Sequence, residues 1–475
     1  MECVIGLEVH VELATASKIF CGCTTAFGGN PNTHVCPVCT GMPGTLPVMN
    51  RSVVEFAVSA GLALNCDITG FNKFDRKNYF YPDLPKAYQV SQLYLPICKN
   101  GHMTIMTESG QKNIGIHEIH MEEDAGKLIH DSDHGCTLVD YNRCGVPLIE
   151  IVSEPDFRSA DEVIAYLEKL RETLLYLGVS DCKLQEGSMR ADINLSVRPN
   201  EHAPLGTRTE MKNMNSFKAI HRAILSETKR QVKLIESGGR VTQETRRWDD
   251  EKGESAGMRS KENAQDYRYF PEPDLLPIEI DGEWLARIKA AMPELAQTKR
   301  DRFINEMGIP EYDASVLTSA KKLSNLFEET CEKCGHPKEV SNIIIGEIMR
   351  LLNDTGTSVD DIDIDSAKLA SLITIIQDGA INRNAGKSVL KELFLHNIEP
   401  QEYVKEHGLA MIQDDSLIES IIDKVLESNQ KSVDDYKNGT EKAFGFLVGQ
   451  TMKELRGKGN PQTVNSILKE KLKNS

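Results

Sequence analysis

Hydrophobic and polar residues alternate along Ile5-Gly6-Leu7-Glu8-Val9-His10-Val11-Glu12-Leu13. A period of two predicts a strand with one buried face. Met189-Arg190-Ala191-Asp192-Ile193-Asn194-Leu195-Ser196-Val197-Arg198 alternates equally, with Arg190, Asp192, Asn194, Ser196 and Arg198 on its polar face. A shorter strand over 208–212 puts Arg208, Glu210 and Lys212 on one side. Elsewhere the period lengthens. Val163, Leu167, Leu170, Leu174 and Leu177 recur at steps of three and four, behind a capping Ser159 and before Gly178, which predicts a helix. A second helix is predicted over 218–235, ending at Gly238-Gly239. Beyond Pro293 the texture is helical, over 315–328, 340–352 and 415–427, with turn signals at Gly308-Ile309-Pro310, Asn353-Asp354 and Glu399-Pro400. The expected organisation is an α+β domain over 1–293, a helical domain over 294–405 and a small helical tail over 406–475.

With 475 residues, 40% hydrophobic and 27% charged, the chain exceeds one ordinary domain and has the balance of a soluble protein. Its formal charge of −16 argues against a surface that grips nucleic acid throughout. The stretch 448–475 departs from that average, because Lys453, Arg456, Lys458, Lys469, Lys471 and Lys473 outnumber Glu454 and Glu470. Such a tail can touch phosphates, or can be the solvated face of a frayed terminus. No apolar run is long enough to cross a bilayer, and Met1-Glu2-Cys3-Val4 does not begin a signal peptide, so a cytosolic protein with reduced thiols is expected.

Four of the 12 cysteines are spaced for a metal. Cys21-Gly22-Cys23 and Cys36-Pro37-Val38-Cys39 flank a turn-like Gly28-Gly29-Asn30-Pro31-Asn32, as a structural zinc in a ribbon requires; free thiols or a redox pair are the alternative. Cys331 and Cys334 have no second pair nearby and read as non-functional. Glu8 and His10 share a strand face, and Glu122-Glu123-Asp124, Glu150, Asp192 and Glu210 supply further acids. Carboxylates with one imidazole suit Mg²⁺ and its phosphate ligands, while Arg190, Arg198 and Lys212 can offset phosphoryl charge. A solvated face with surface ion pairs is the bland alternative. Gly379 to Ser388 mimics a phosphate loop but has six residues between glycines where four are needed. No nucleophile elbow or zincin motif is present. The aromatic, proline-rich run Lys77 to Tyr88 reads as either a channel-lining loop or a packed hairpin connection.

Several long segments, in order along the whole chain, resemble the B component of the bacterial and organellar Asp/Glu-tRNA amidotransferases, the GatB/GatE family. They include Ile5 to Leu13, Lys77 to Asp83, Met121 to Lys127, Val146 to Asp156, Glu186 to Arg190, Lys212 to Phe217, Asp266 to Asp274 and Ala443 to Gln450. The resemblance implies a cradle domain like the glutamine synthetase fold, mostly antiparallel, with a zinc-ribbon-like insertion at 21–39, then an all-α domain and a YqeY-like tail. It implies a heterotrimer, in which this component joins an amidase (GatA) and a small third protein (GatC). That assembly converts Glu-tRNA(Gln) or Asp-tRNA(Asn) to the amidated form, using ATP and Mg²⁺ to phosphorylate the side-chain carboxylate. A non-catalytic tRNA-binding scaffold is the competing expectation. Carried over by position, Glu8, His10 and Glu123 are the expected Mg²⁺ ligands, with Glu150 and Glu210 as neighbours. Arg190 and Lys212 are expected at the nucleotide from face geometry. Tyr81 and Lys86 fall where the family's ammonia passage begins, and Lys453, Arg456 and Lys458 are the expected tRNA contacts.

Overall fold

The alternation at the N-terminus becomes β1 (Glu2–Glu12), with Ile5, Leu7, Val9 and Val11 buried and Glu8, His10 and Glu12 partly open. The structure, a computed structural model, describes residues 1–108, 110–260, 267–412, 414–455 and 458–474, and the chain divides into units Met1–Leu295 and Ala296–Ser475. In the first unit β1 is the middle of a nine-stranded sheet. The others are β2 (Asp67–Ile68), β3 (Cys98–Thr107), β4 (Gly110–Glu123), β5 (Pro147–Ser153), β6 (Met189–Arg198), β7 (Thr209–Lys212), β8 (Glu244–Asp249) and β9 (Glu254–Ser260). The spatial order is β9-β8-β7-β6-β1-β5-β4-β3-β2, and the pairings are antiparallel except β7 with β8.

Three helices cover one face: α1 (Arg51–Ala63), α2 (Ala160–Leu177) and α3 (Phe217–Glu236). α2 starts where Ser159 Oγ accepts from the Glu162 N–H and stops at Gly178, whose φ of 74° an L side chain rarely adopts. Ala57, Leu167, Leu170, Ile220 and Ile224 share one apolar cluster with Ile5, Leu7 and Val9. Each large apolar side chain contributes about 1.5–3 kcal/mol on burial. That fixes the register, because a slip by one residue would turn Glu8 and His10 inward. The opposite face is thereby left to polar side chains.

On the covered side, α3 carries a buried carboxylate. Glu227 accepts from Thr209 Oγ1 (2.8 Å) and Gln231 Nε2 (2.8 Å), and Arg230 grips it with two bonds of 2.7 and 2.8 Å. Thr209 opens β7, so this network ties α3 to the strand that bears Glu210 and Lys212. Residues 21–39 are turns, bends and irregular chain with one isolated bridge, Thr24 to Ser17, rather than ribbon strands; Pro31 and Pro37 lack the N–H a ladder needs.

In the second unit the helix predicted over 315–328 is two, Glu311–Leu317 and Lys321–Cys334. Thr318 and Ser319 bond back to the carbonyls of Ala314 and Val316 and end the first. The predicted 340–352 helix is Pro337–Ile343 continued through a π-helical turn, Ile344–Ile348, into Met349–Thr355. Apolar residues here form two clusters, one spanning Phe303 to Val404 and one Ile418 to Leu472. No helix among the described residues is long and apolar enough to cross a membrane.

Candidate active site

Strand register builds the site. His120 on β4, Glu150 on β5, His10 on β1 and Arg190 on β6 are successive cross-strand partners, so four polar side chains form one row. His120 Nε2 lies 2.8 Å from Glu150 Oε2, and His10 Nε2 is 3.5 Å from both Glu150 and Glu122. Ligand atoms of His10, Glu122 and Glu150 all lie within 4.8 Å of one another. Burial alone would lower both imidazole pKa values, but Glu150 and Glu122 raise His10 to about 9, and Glu150, Glu118 and Glu122 raise His120 to about 10. Glu150 responds in the opposite sense: burial works against its charge, yet the two imidazoles hold it well below the usual carboxylate range. Glu122 is pushed up by burial and then by Glu150.

A second group lies on the same face. Glu8 faces Asp192 across the β1–β6 pair, and with Glu210 of β7 these carboxylates also fall within 4.8 Å. Lys212 bonds Asp192 and sits 3.1 Å from Glu210, which also accepts from Thr245 Oγ1 at 2.8 Å. Burial opposes the Lys212 charge, but Asp192 and then Glu210 outweigh it and raise its pKa. The first group, with an imidazole, and the second, all oxygen, can each accept a divalent cation.

The expected trio of Glu8, His10 and Glu123 is not assembled. Glu8 and His10 fall in different groups, and Glu122 stands where Glu123 was expected. Successive residues of a strand point to opposite faces, so Glu122 shares the side of His120 and Glu118, and Glu123 turns away. Its carboxylate bonds Lys86 Nζ (2.6 Å) and the Val90 N–H (2.9 Å). Lys86 and Glu123 help wall a cavity of about 130 Å³, together with Cys39, Tyr88, Glu272 and Asp274. Tyr81 is about half exposed and is not in that wall.

Arg190 Nη2 bonds Asp124 at 3.0 Å, and Arg143 approaches the same oxygen at 3.4 Å. Lys77 also feels the charge of the first group, through Glu122 and Glu150. Tyr79 and Tyr267 surround its ammonium, with ring centroids at 5.8 and 5.1 Å. Burial disfavours that charge, but Tyr269 and Glu122 raise its pKa. Neither His120 nor Glu122 is among the ligands expected from sequence, although both lie in its acidic cluster and share the polar phase of Glu118-Ile119-His120-Met121-Glu122. Lys77 gave no signal beyond its aromatic neighbours.

The four cysteines converge, with Sγ atoms within 4.8 Å of one another. A tetrahedral site with metal–sulfur bonds of about 2.3 Å has edges of roughly 3.8 Å; Cys36 and Cys39 are 3.9 Å apart. The Cys36 N–H donates to Cys39 Sγ at 3.2 Å, and Lys18 Nζ lies 3.7 Å from it. The set fits a structural zinc. In the tail Lys453 is exposed and Lys458 partly buried, while Arg456 lies outside the described residues.

The family model described as the GatB/GatE catalytic domain matches residues 3–286, and one described as a GatB domain matches 325–472. The second match therefore begins well before the tail expected at 406. A Lachnoclostridium phytofermentans protein, named as the B component of an aspartyl/glutamyl-tRNA(Asn/Gln) amidotransferase, is 64% identical over 471 residues, covering 99% of this chain and 98% of its own. Proteins of the same name from Agathobacter rectalis and a Thermoanaerobacter strain are 59% and 56% identical, each match covering 99% of both chains. Both carboxylate groups and the four cysteines lie inside the first matched stretch, and with relatives this similar along almost the full length, the chain belongs to the GatB/GatE family.

Proposed function

We propose that this chain is the component of a tRNA-dependent amidotransferase that activates the side-chain carboxylate of Glu or Asp on misacylated tRNA with ATP, for amidation by ammonia from a glutaminase partner. The observation that carries it is the pairing of two cation-ready groups on one rigid sheet face. A carboxylate is a poor electrophile because its leaving group would be oxide. Attack of its oxygen on the γ-phosphorus, with ADP leaving, creates a phosphate leaving group that ammonia can then displace. Divalent cations held by His10, Glu122 and Glu150 and by Glu8, Asp192 and Glu210 would supply charge neutralisation to the phosphates when bound. The chain's own cations act alongside: Lys77 and Lys212 border the two groups, and Arg190, held by Asp124, keeps its guanidinium in the row with His10. None of these residues needs to be a nucleophile, which agrees with the absence of an activated one from the motifs.

Lys86 and Glu123 border the cavity suited to ammonia, with Tyr81 farther out. The cysteines bind one zinc, which holds the loop forming another side of that cavity. Lys453, Arg456 and Lys458 take tRNA phosphates. We take 294–405 and 406–475 as separate modules, since the buried residues of one apolar cluster end at Val404 and those of the other begin at Ile418. The test uses the reconstituted complex with Glu-tRNA(Gln) and labelled ATP. Glu150→Gln is expected to abolish labelled phosphate transfer to aminoacyl-tRNA, and amidation from either glutamine or ammonium chloride. Glutamine hydrolysis by the partner should persist. Wild-type phosphate transfer by that variant would reject the assignment, and tRNA binding without any transfer in the wild type would make the chain a scaffold.

A further inference from the structure

Among the three carboxylates of the second group stands one neutral side chain. Asn194 is the cross-strand partner of Glu210 on one side and Gly6 on the other, two residues along β6 from Asp192, so it shares their face. Its Nδ2 donates to Glu8 Oε1 at 2.9 Å. Its Oδ1 is closed off from solvent and accepts no hydrogen bond among the described residues. A buried amide oxygen left without a donor costs roughly 1–3 kcal/mol, so the amide stands here at a cost to stability while its other end holds Glu8.

We propose that Asn194 is a positioning residue for the divalent cation of the Glu8, Asp192 and Glu210 group: its Nδ2 holds the Glu8 carboxylate in the orientation in which it can meet the cation. The inference rests on the cation reading given under the proposed function. The chemistry favours an amide here. A fourth carboxylate would add repulsion to three acids already crowded together, whereas the amide adds a donor to Glu8 without charge. Groups that orient ligands in this way typically change metal affinity about 10–100-fold.

The test is Mn²⁺ binding to the full chain, followed by electron paramagnetic resonance of the free ion, with thermal midpoints measured without and with Mn²⁺. The wild type is expected to show two sites, one of them lost in His10→Ala. Asn194→Ala should weaken the other about 10–100-fold and leave the first alone. Asn194→Asp keeps an oxygen but loses the donor and adds a charge. Its midpoint should fall without Mn²⁺, and its rise on adding Mn²⁺ should exceed that of the wild type. A purely structural asparagine would shift the midpoint and leave the Mn²⁺-dependent rise unchanged. Wild-type affinity at both sites in Asn194→Ala overturns the proposal. A wild type with only the site that His10→Ala removes overturns it too, while sparing the first cation group; a wild type that binds no Mn²⁺ rejects the cation reading as a whole.

Discussion

Replacing Glu227 by Ala should destabilise the first unit by about 3–5 kcal/mol, the range for stripping one partner from a buried ion pair. The magnitude follows from what is left behind. Thr209 and Gln231 are fully buried; Gln231 Nε2 keeps Leu195 O and Thr209 Oγ1 as acceptors, but the Thr209 hydroxyl is left with only a 3.5 Å contact to Leu195 O, at a cost of about 1–3 kcal/mol. Arg230 contributes less, because its side chain is 31% exposed and water can replace the carboxylate. Arg246, 12% exposed and 3.5 Å away, would lose part of its counter-charge. The readout is specific to this unit, since the chain's two tryptophans, Trp248 and Trp284, both lie in it. Urea unfolding followed by tryptophan fluorescence should therefore register the loss. Burial alone would raise the Glu227 pKa, but Arg230 and Gln231 hold it below the usual value. Its ionised form therefore adds stability above the ordinary carboxylate pKa, and that increment disappears as pH falls through the lower folded value. The gap between wild type and Glu227→Gln should narrow accordingly in acid. A loss below about 1 kcal/mol in Glu227→Ala at neutral pH, less than one stranded acceptor-seeking group costs, would refute the reasoning.

Metal analysis of the purified chain should find one zinc, and Cys36→Ser should lose it; a metal-free wild type with four free thiols would discard the zinc reading. Phe303 is fully buried and meets the Phe327 ring edge-on at 4.7 Å. Phe303→Ala should destabilise the second unit by about 3–5 kcal/mol. Far-ultraviolet circular dichroism should detect this while the tryptophan transition stays put, and a shift confined to the tryptophan signal would contradict it.

Much of the fold was legible because the chain repeats its instructions at two levels. The alternation of β1 and β6 carried both the strand and the buried face, and Ser159 with Gly178 carried both ends of α2. The helix predicted over 315–328 failed because periodicity does not register Thr318 and Ser319 bonding to their own backbone. Around the site, the residue types were visible but their partners were not. The acids at 122 and 123 are adjacent in sequence and opposite in space, and only the pairing of β4 with β5 decides which one meets His10. Asn194 was visible on the polar face, but an orphaned oxygen is a property of packing, which no spacing encodes.

The central place of β1 has a consequence for biosynthesis. It is synthesised well before both of its neighbours, which begin only at Pro147 and Met189. At about 5–20 residues per second, roughly 10–40 s pass before both flanks can be satisfied. During that interval Ile5, Leu7, Val9 and Val11 lie on a segment with two open edges. The nascent chain must be shielded by a chaperone or by transient collapse, and the cation ligands cannot gather until most of the cradle has been translated.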